Sequence, residues 1–147
     1  MKPKKELIFL PLGGSGEIGM NVNLYGCDGK WIMVDLGMTF GDPSYPGVEL
    51  VLPDLTFIEK HRKDLLGVVL THAHEDHIGA IPYLIQDLNV PLYATPFTAG
   101  LIAKKLQEEG IEDEIELNII ENEGSVEIGP FHCRYVPLAH SILEGNA

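Results

Sequence analysis

The chain has 147 residues, 45% of them hydrophobic and 22% charged; that supports a single folded domain able to bury roughly 70% of its unfolded surface, and it excludes a disordered segment. A formal charge of −12 excludes a segment that grips a phosphate backbone unaided, because such affinity draws on Lys and Arg. No run approaches the ~20 continuous apolar residues that span a bilayer, and MKPKKELIFLPLGGSGE is too weakly apolar for a signal peptide, so the expected location is cytoplasmic, with no membrane partner. Cys27 and Cys133 are far apart and lack metal-knuckle spacing; they read as buried thiols.

In chain order, ELIFLPL reads as a strand and GGSGEIG as a tight loop, followed by two strands in NVNLYGCDGKWIMVD around an Asp28-Gly29 hairpin turn. The Gly- and Pro-rich stretch LGMTFGDPSYPGVELVLPD cannot be regular throughout and has the length of a functional loop. Asp54 is placed to cap a helix over about residues 55–64, after which LLGVVLTH is a short apolar run expected of a strand buried on both faces. HIGAIPYLIQDL reads as one helix and VPLYAT as a strand. Thr95 and Pro96 give an N-cap and first-turn signal for a helix ending before Gly110, with Phe97, Leu101, Ile102 and Leu106 as its buried stripe. EIELNII, SVEIG and FHCRYVPLAH are further strands, the last entered through a Gly129-Pro130 turn. Strands first, then strands alternating with helices, predict an α/β (α+β) fold with sheets covered by helices.

The most informative stretch is Thr71-His-Ala-His-Glu-Asp-His77, which holds three of the six histidines. Side chains at i and i+2 of an extended chain share a face, so His72 and His74 can converge on one ion, while Asp76 and His77 address a second position on the same side. Imidazole nitrogens with a carboxylate oxygen suit zinc, with manganese or iron as alternatives, and lend themselves to hydrolysis by an activated water. His140, after the apolar run YVPLA, is the expected third nitrogen of the first position. Asp35, ending KWIMVD, reads as the acceptor of a hydrogen bond from a ligating imidazole, fixing its tautomer, with a turn-capping carboxylate as the alternative. His61, in the polar run EKHRKD, and His132, between Phe131 and Cys133, read as ordinary surface and strand residues.

Gly14-Ser-Gly16-Glu-Ile-Gly19 fits a dinucleotide-binding fingerprint, with Asp35 near the distance of a ribose-binding acid. That fingerprint requires a helix directly after the glycines. MNVNLYGCDGKWIMVDLG instead alternates at period two around a hairpin turn, so the nucleotide reading fails.

These residues resemble the metallo-β-lactamase superfamily, whose signature is His-x-His-x-Asp-His after a strand. LGGSGEIGMN, VDLGMTF with GVELVLPDLTFI, VLTHAHEDHIGAIPYL and VPLAHSILEGNA are similar more specifically to the ribonuclease J family of its β-CASP branch. The resemblance implies an αββα sandwich in which His72, His74 and His140 hold one zinc and Asp76 and His77 help hold a second, with Asp35 supporting the ligands from behind. It implies a metal-dependent ribonuclease, both endonuclease and 5′-to-3′ exonuclease on RNA, in which a metal-bridging hydroxide attacks the phosphodiester in line. A homo-oligomer is implied for the full-length form. The departure is truncation: the family's later bridging aspartate, a further histidine, the inserted β-CASP domain and the C-terminal domain do not fit within residues 1–147. These residues are therefore expected to be the N-terminal half of the metallo-β-lactamase domain, inactive alone, with RNA bound largely by absent domains. The competing enzyme reading keeps the fold and takes a thioester or lactam, as in glyoxalase II; such chains place the third histidine in Pro-Gly-His-Thr, whereas here it lies in PLAHSILEGNA. A third reading is a fragment that binds metal without catalysing anything.

Overall fold

The computed structural model describes residues 5–147. The period-two patterning of the first third produces a meander of β1 (Ile8–Gly13), β2 (Val22–Cys27) and β3 (Lys30–Val34), paired antiparallel. Asp28 and Gly29 connect β2 to β3 with φ of 51° and 74°, the left-handed pair that a two-residue type I′ hairpin needs. The glycine loop lies between antiparallel strands with no helix after it, so the nucleotide fingerprint has no structural counterpart. Within the Gly- and Pro-rich connection, β4 (Thr39–Phe40) and β5 (Leu50–Val51) form a short ribbon.

The Asp54 carboxylate accepts the Thr56 N–H at 2.9 Å, yet α1 (Thr56–Lys60) is shorter than expected and passes into a 3-10 turn at Arg62–Asp64. β6 (Leu65–Val69) then runs parallel to β3. The helix expected in HIGAIPYLIQDL is broken into α2 (Glu75–Ile78) and α3 (Ile81–Leu88). Pro82 has no N–H to offer the Ile78 carbonyl and its ring crowds that carbonyl, which favours the break seen there. β7 (Leu92–Ala94), α4 (Pro96–Glu108) and β8 (Leu117–Ile119) complete a six-stranded sheet of order β1-β2-β3-β6-β7-β8. Along α4 the fully buried residues are Thr98, Ala99, Ile102 and Leu106; the expected Phe97 and Leu101 pack at the margin. β9 (Ser125–Ile128) and β10 (Phe131–Arg134) form a separate hairpin.

Alternation along the strands divides the core in two. Leu24, Met33, Val68 and Leu92 pack with Ile58, Ile81, Ile85, Ile102 and Leu106 on the helical side. Their neighbours Ile32, Val69 and Tyr93 meet Ile128, Phe131 and Tyr135 of the hairpin on the other side. Each such side chain, fully buried, contributes about 1.5–3 kcal/mol. The result is a helix layer, a mixed sheet and a two-stranded hairpin on its other face. Cys27 and Cys133 are free and half-buried. Among the described residues, no helix is long and apolar enough to cross a membrane.

Candidate metal centre

β6 ends at Val69, and five residues later α2 begins after His74, whose ψ is 150°. A four-residue helix leaves most of its backbone groups without internal partners. Here the returning segment after β3 supplies them: the N–H groups of Leu36 and Met38 donate to the His77 and Glu75 carbonyls at 2.8 and 3.1 Å. Gly37 lies between, and a Cβ on it would fall 1.7 Å from the Asp76 carbonyl oxygen. Glu75 turns away from its motif neighbours and pairs with Lys105 of α4 at 2.6 Å.

His72, His74 and His140 each place a ring nitrogen so that all three lie within 4.8 Å of one another. The rings stand nearly perpendicular in pairs, with centroids 4.6 to 4.9 Å apart. His72 Nε2 and His140 Nε2 are 3.1 Å apart; nitrogens bound tetrahedrally to zinc at about 2.0–2.1 Å would stand about 3.3 Å apart. The donor set and its spacing therefore fit a small cation that favours imidazole.

The hydrogen bonds behind the cluster point its lone pairs inward. Asp35, 3% exposed, sits at the end of β3 in the left-handed region at φ 65°, a backbone state that persists only where surrounding contacts enforce it. Its Oδ1 accepts the Thr71 N–H at 2.8 Å, its Oδ2 accepts the Thr71 hydroxyl at 2.8 Å, and Oδ2 also faces His77 Nδ1 at 2.6 Å. A carboxylate only accepts, so the single hydroxyl proton of Thr71 goes to Asp35, and His72 Nδ1, 2.9 Å from the same hydroxyl, must be the donor there. Both imidazoles are thus held with Nδ1 protonated and Nε2 open. Burial, followed by the neighbouring His77, His140 and His74, depresses the His72 pKa from 6.5 to about 4, keeping it in the neutral form a metal requires. Burial works against the imidazolium of His77, but the hydrogen bond and charge of Asp35, helped by Asp76, outweigh it and raise its pKa.

Asp76 and His77 lie beside the trio, with His77 Nε2 3.4 Å from Asp76 Oδ2 and the His77 ring centroid 4.0 Å from that of His72. His61 packs on Phe57, and His132 faces Glu127 from the surface; neither joins the cluster, as expected.

His140 arrives differently from the expectation. The strand predicted through FHCRYVPLAH stops at Arg134, and Pro137 lies in a loop that closes on itself, with Leu138 N–H donating to Gly145 O at 2.8 Å and Val136 and Ala147 exchanging bonds at 3.0 and 2.9 Å. Two side chains pin this loop. Asn146 donates to the Thr71 carbonyl at 3.3 Å. Glu144 accepts the Phe97 N–H in the first turn of α4 at 2.7 Å and the Asn122 amide at 3.1 Å. Thr95 occupies the N-cap position of α4 without making a cap bond; Glu144 fills that role from 47 residues away. Sequence reasoning missed Thr71, Glu144 and Asn146. Only Thr71 carried a signal, its hydroxyl directly preceding the first histidine.

The family model of the metallo-beta-lactamase superfamily matches residues 17–141, which contain the whole cluster. The chain belongs to the metallo-beta-lactamase superfamily. Within it, the chain is 49% identical over its full length to a ribonuclease J of Sinorhizobium meliloti, of which it covers 27%. It is 36% identical, again over its full length, to a ribonuclease J of Helicobacter pylori, covering 22% of that protein. The chain thus spans about a quarter of these relatives. Among solved structures, the Rm3 metallo-beta-lactamase matches with a TM-score of 0.61 at 15% identity, over 94% of this chain and 51% of that one; such a likeness speaks for the metallo-beta-lactamase fold alone.

Proposed function

We propose that this chain is the amino-terminal half of the catalytic domain of a zinc-dependent ribonuclease of the ribonuclease J kind, with RNA as substrate. The observation that carries this reading is the convergence of His72, His74 and His140 in a chain similar along its whole length to ribonuclease J. His72, His74 and His140 would hold one cation, and Asp76 and His77 would contribute to a second. A bound cation lowers the pKa of water toward neutrality and stabilises charge developing on a phosphate. The residues of this chain do the orienting. Asp35 and Thr71 fix the tautomers of His72 and His77, and the loop pinned by Glu144 and Asn146 presents His140.

The relatives extend well beyond the length matched here, which supports a longer protein whose other parts would carry the remaining ligands, most RNA contacts and any self-association. Alone, the 147-residue chain is expected to turn over little RNA and to bind at most one zinc tightly. The test is made in the longer protein: His74→Ala and Asp76→Ala should each abolish cleavage of a 5′-monophosphate RNA while far-UV dichroism is unchanged. Undiminished cleavage in both variants sinks the proposal, and thioester hydrolysis measured alongside separates it from a glyoxalase-like activity.

A further inference from the structure

The glycine loop plays no part in the reading above, yet it delivers a side chain onto the site. Asn21 follows Met20, a left-handed residue at φ 46°, and its backbone is clamped on both sides: its N–H donates to Asp76 O at 2.9 Å and its carbonyl accepts from Gly37 N–H at 3.1 Å. Its side-chain oxygen is seated against Gly14, where a Cβ would lie 2.3 Å from Oδ1. The amide nitrogen is thereby aimed at Asp76 O at 3.0 Å, Asp76 Oδ2 at 3.2 Å and His77 Nε2 at 3.3 Å.

We infer that the Asn21 carboxamide is a built-in competitor for the second cation position, so that a cation held by Asp76 and His77 must first turn this amide away. The inference rests on the metal reading proposed above. Neutral His77 keeps its proton on Nδ1, against Asp35 at 2.6 Å, so Nε2 has one lone pair, which serves either the amide or a cation. One amide N–H meets the Asp76 carbonyl at 3.0 Å and the other is shared between Nε2 and Asp76 Oδ2, which stand 3.4 Å apart, so it presents a donor where a cation would present positive charge. Asn21 is a positioning residue: it preorganises two ligands while weakening the second site, and the three-histidine position fills first. The Gly14–Gly19 segment then has a structural purpose, since a side chain at residue 14 would unseat the amide.

Zinc titrated into the metal-free chain by calorimetry tests this in two steps, the first belonging to the three histidines. Asn21→Ala should leave the first step in place and tighten the second about three- to tenfold, the effect of freeing one or two ligand hydrogen bonds. An unchanged or weakened second step, or no second step in either protein, overturns the inference. The unmodified chain supplies a readout free of any folding defect. As the second equivalent binds, the Asn21 side-chain amide protons should move to the position of a solvent-exposed amide in step with the His77 ring signals; amide signals that stay fixed while His77 shifts also overturn it. Absence of the first step in the unmodified chain defeats the metal reading itself and this inference with it.

Discussion

Asp35 serves two histidines with two oxygens, through a direct bond to His77 Nδ1 at 2.6 Å and through the Thr71 hydroxyl to His72. Asp35→Asn replaces an acceptor with a group that also donates, so both tautomers are released; zinc affinity should fall about 10- to 100-fold. Thr71→Val removes the partner of His72 and one donor to Asp35 but leaves the Asp35–His77 bond in place, so it should cost less, and competition against a chromophoric chelator gives the ranking. The same burial that keeps His72 neutral makes the metal-free chain sensitive to acid. Its folded pKa of about 4 lies below the ordinary 6.5, so between these values the unfolded chain takes up a proton that the folded chain refuses, and stability falls as pH falls. The loss is roughly 1–3 kcal/mol. His77, with its raised pKa, works in the opposite sense: its contribution is complete below 6.5 and is lost as pH rises through the folded value. His72→Asn should therefore flatten the decline of the urea midpoint between pH 6.5 and 4.5, and equal slopes in the two proteins would refute the assignment. The sequence marked Asp35 as a strand-end carboxylate, a signal that fits a turn-capping residue as well as an imidazole acceptor. Thr71 showed only a hydroxyl directly before the first histidine; its role follows from which proton it has left to give.

At the scale of elements, the cluster depends on pieces too short to stand alone. The four residues of α2 are held by the segment after β3, and the loop after β10 is held by Glu144 and Asn146. Glu144 is itself left-handed, at φ 53°, so its conformation depends on the bonds its carboxylate makes to α4 and Asn122. Glu144→Ala removes those bonds and should loosen the loop, weakening zinc binding about tenfold with only a modest change in global stability. The decisive comparison is with His140→Ala: if Glu144 acts through His140, adding Glu144→Ala to that variant should weaken zinc no further, whereas additive losses would mean an independent role. Strands, hairpin turn and the long helix were readable because their periodicity is local. The break between α2 and α3 was readable in principle from Pro82. The departure of the chain from β10 was not, since an apolar run through Tyr135 and Val136 looks like strand until the loop closes across 136–147.

Across the whole molecule, the helical face of the sheet was legible from alternation, because each buried side chain at i+2 needs a partner on the same side. The opposite face was less so. It carries the smaller core around Ile32, Val69 and Phe131, while Leu7 and Phe9 of the first strand region remain 65% and 53% exposed. Charge acts at the same scale. The chain has 22 acidic and 10 basic residues, so its net charge opposes a polyanion, and two divalent ions would offset only a third of the formal charge of −12. Fluorescence anisotropy with a 5′-labelled single-stranded RNA should find the zinc-loaded chain binding more weakly than ~100 µM, the weak end of non-specific association at physiological salt. The proposed longer protein should bind far more tightly, with a steep salt dependence, because its additional residues would supply the cations that neutralise phosphates. Micromolar binding by this chain alone, falling steeply with added salt, would mean that its few Lys and Arg side chains form a phosphate track, and the division between a metal centre here and an RNA grip elsewhere would be wrong.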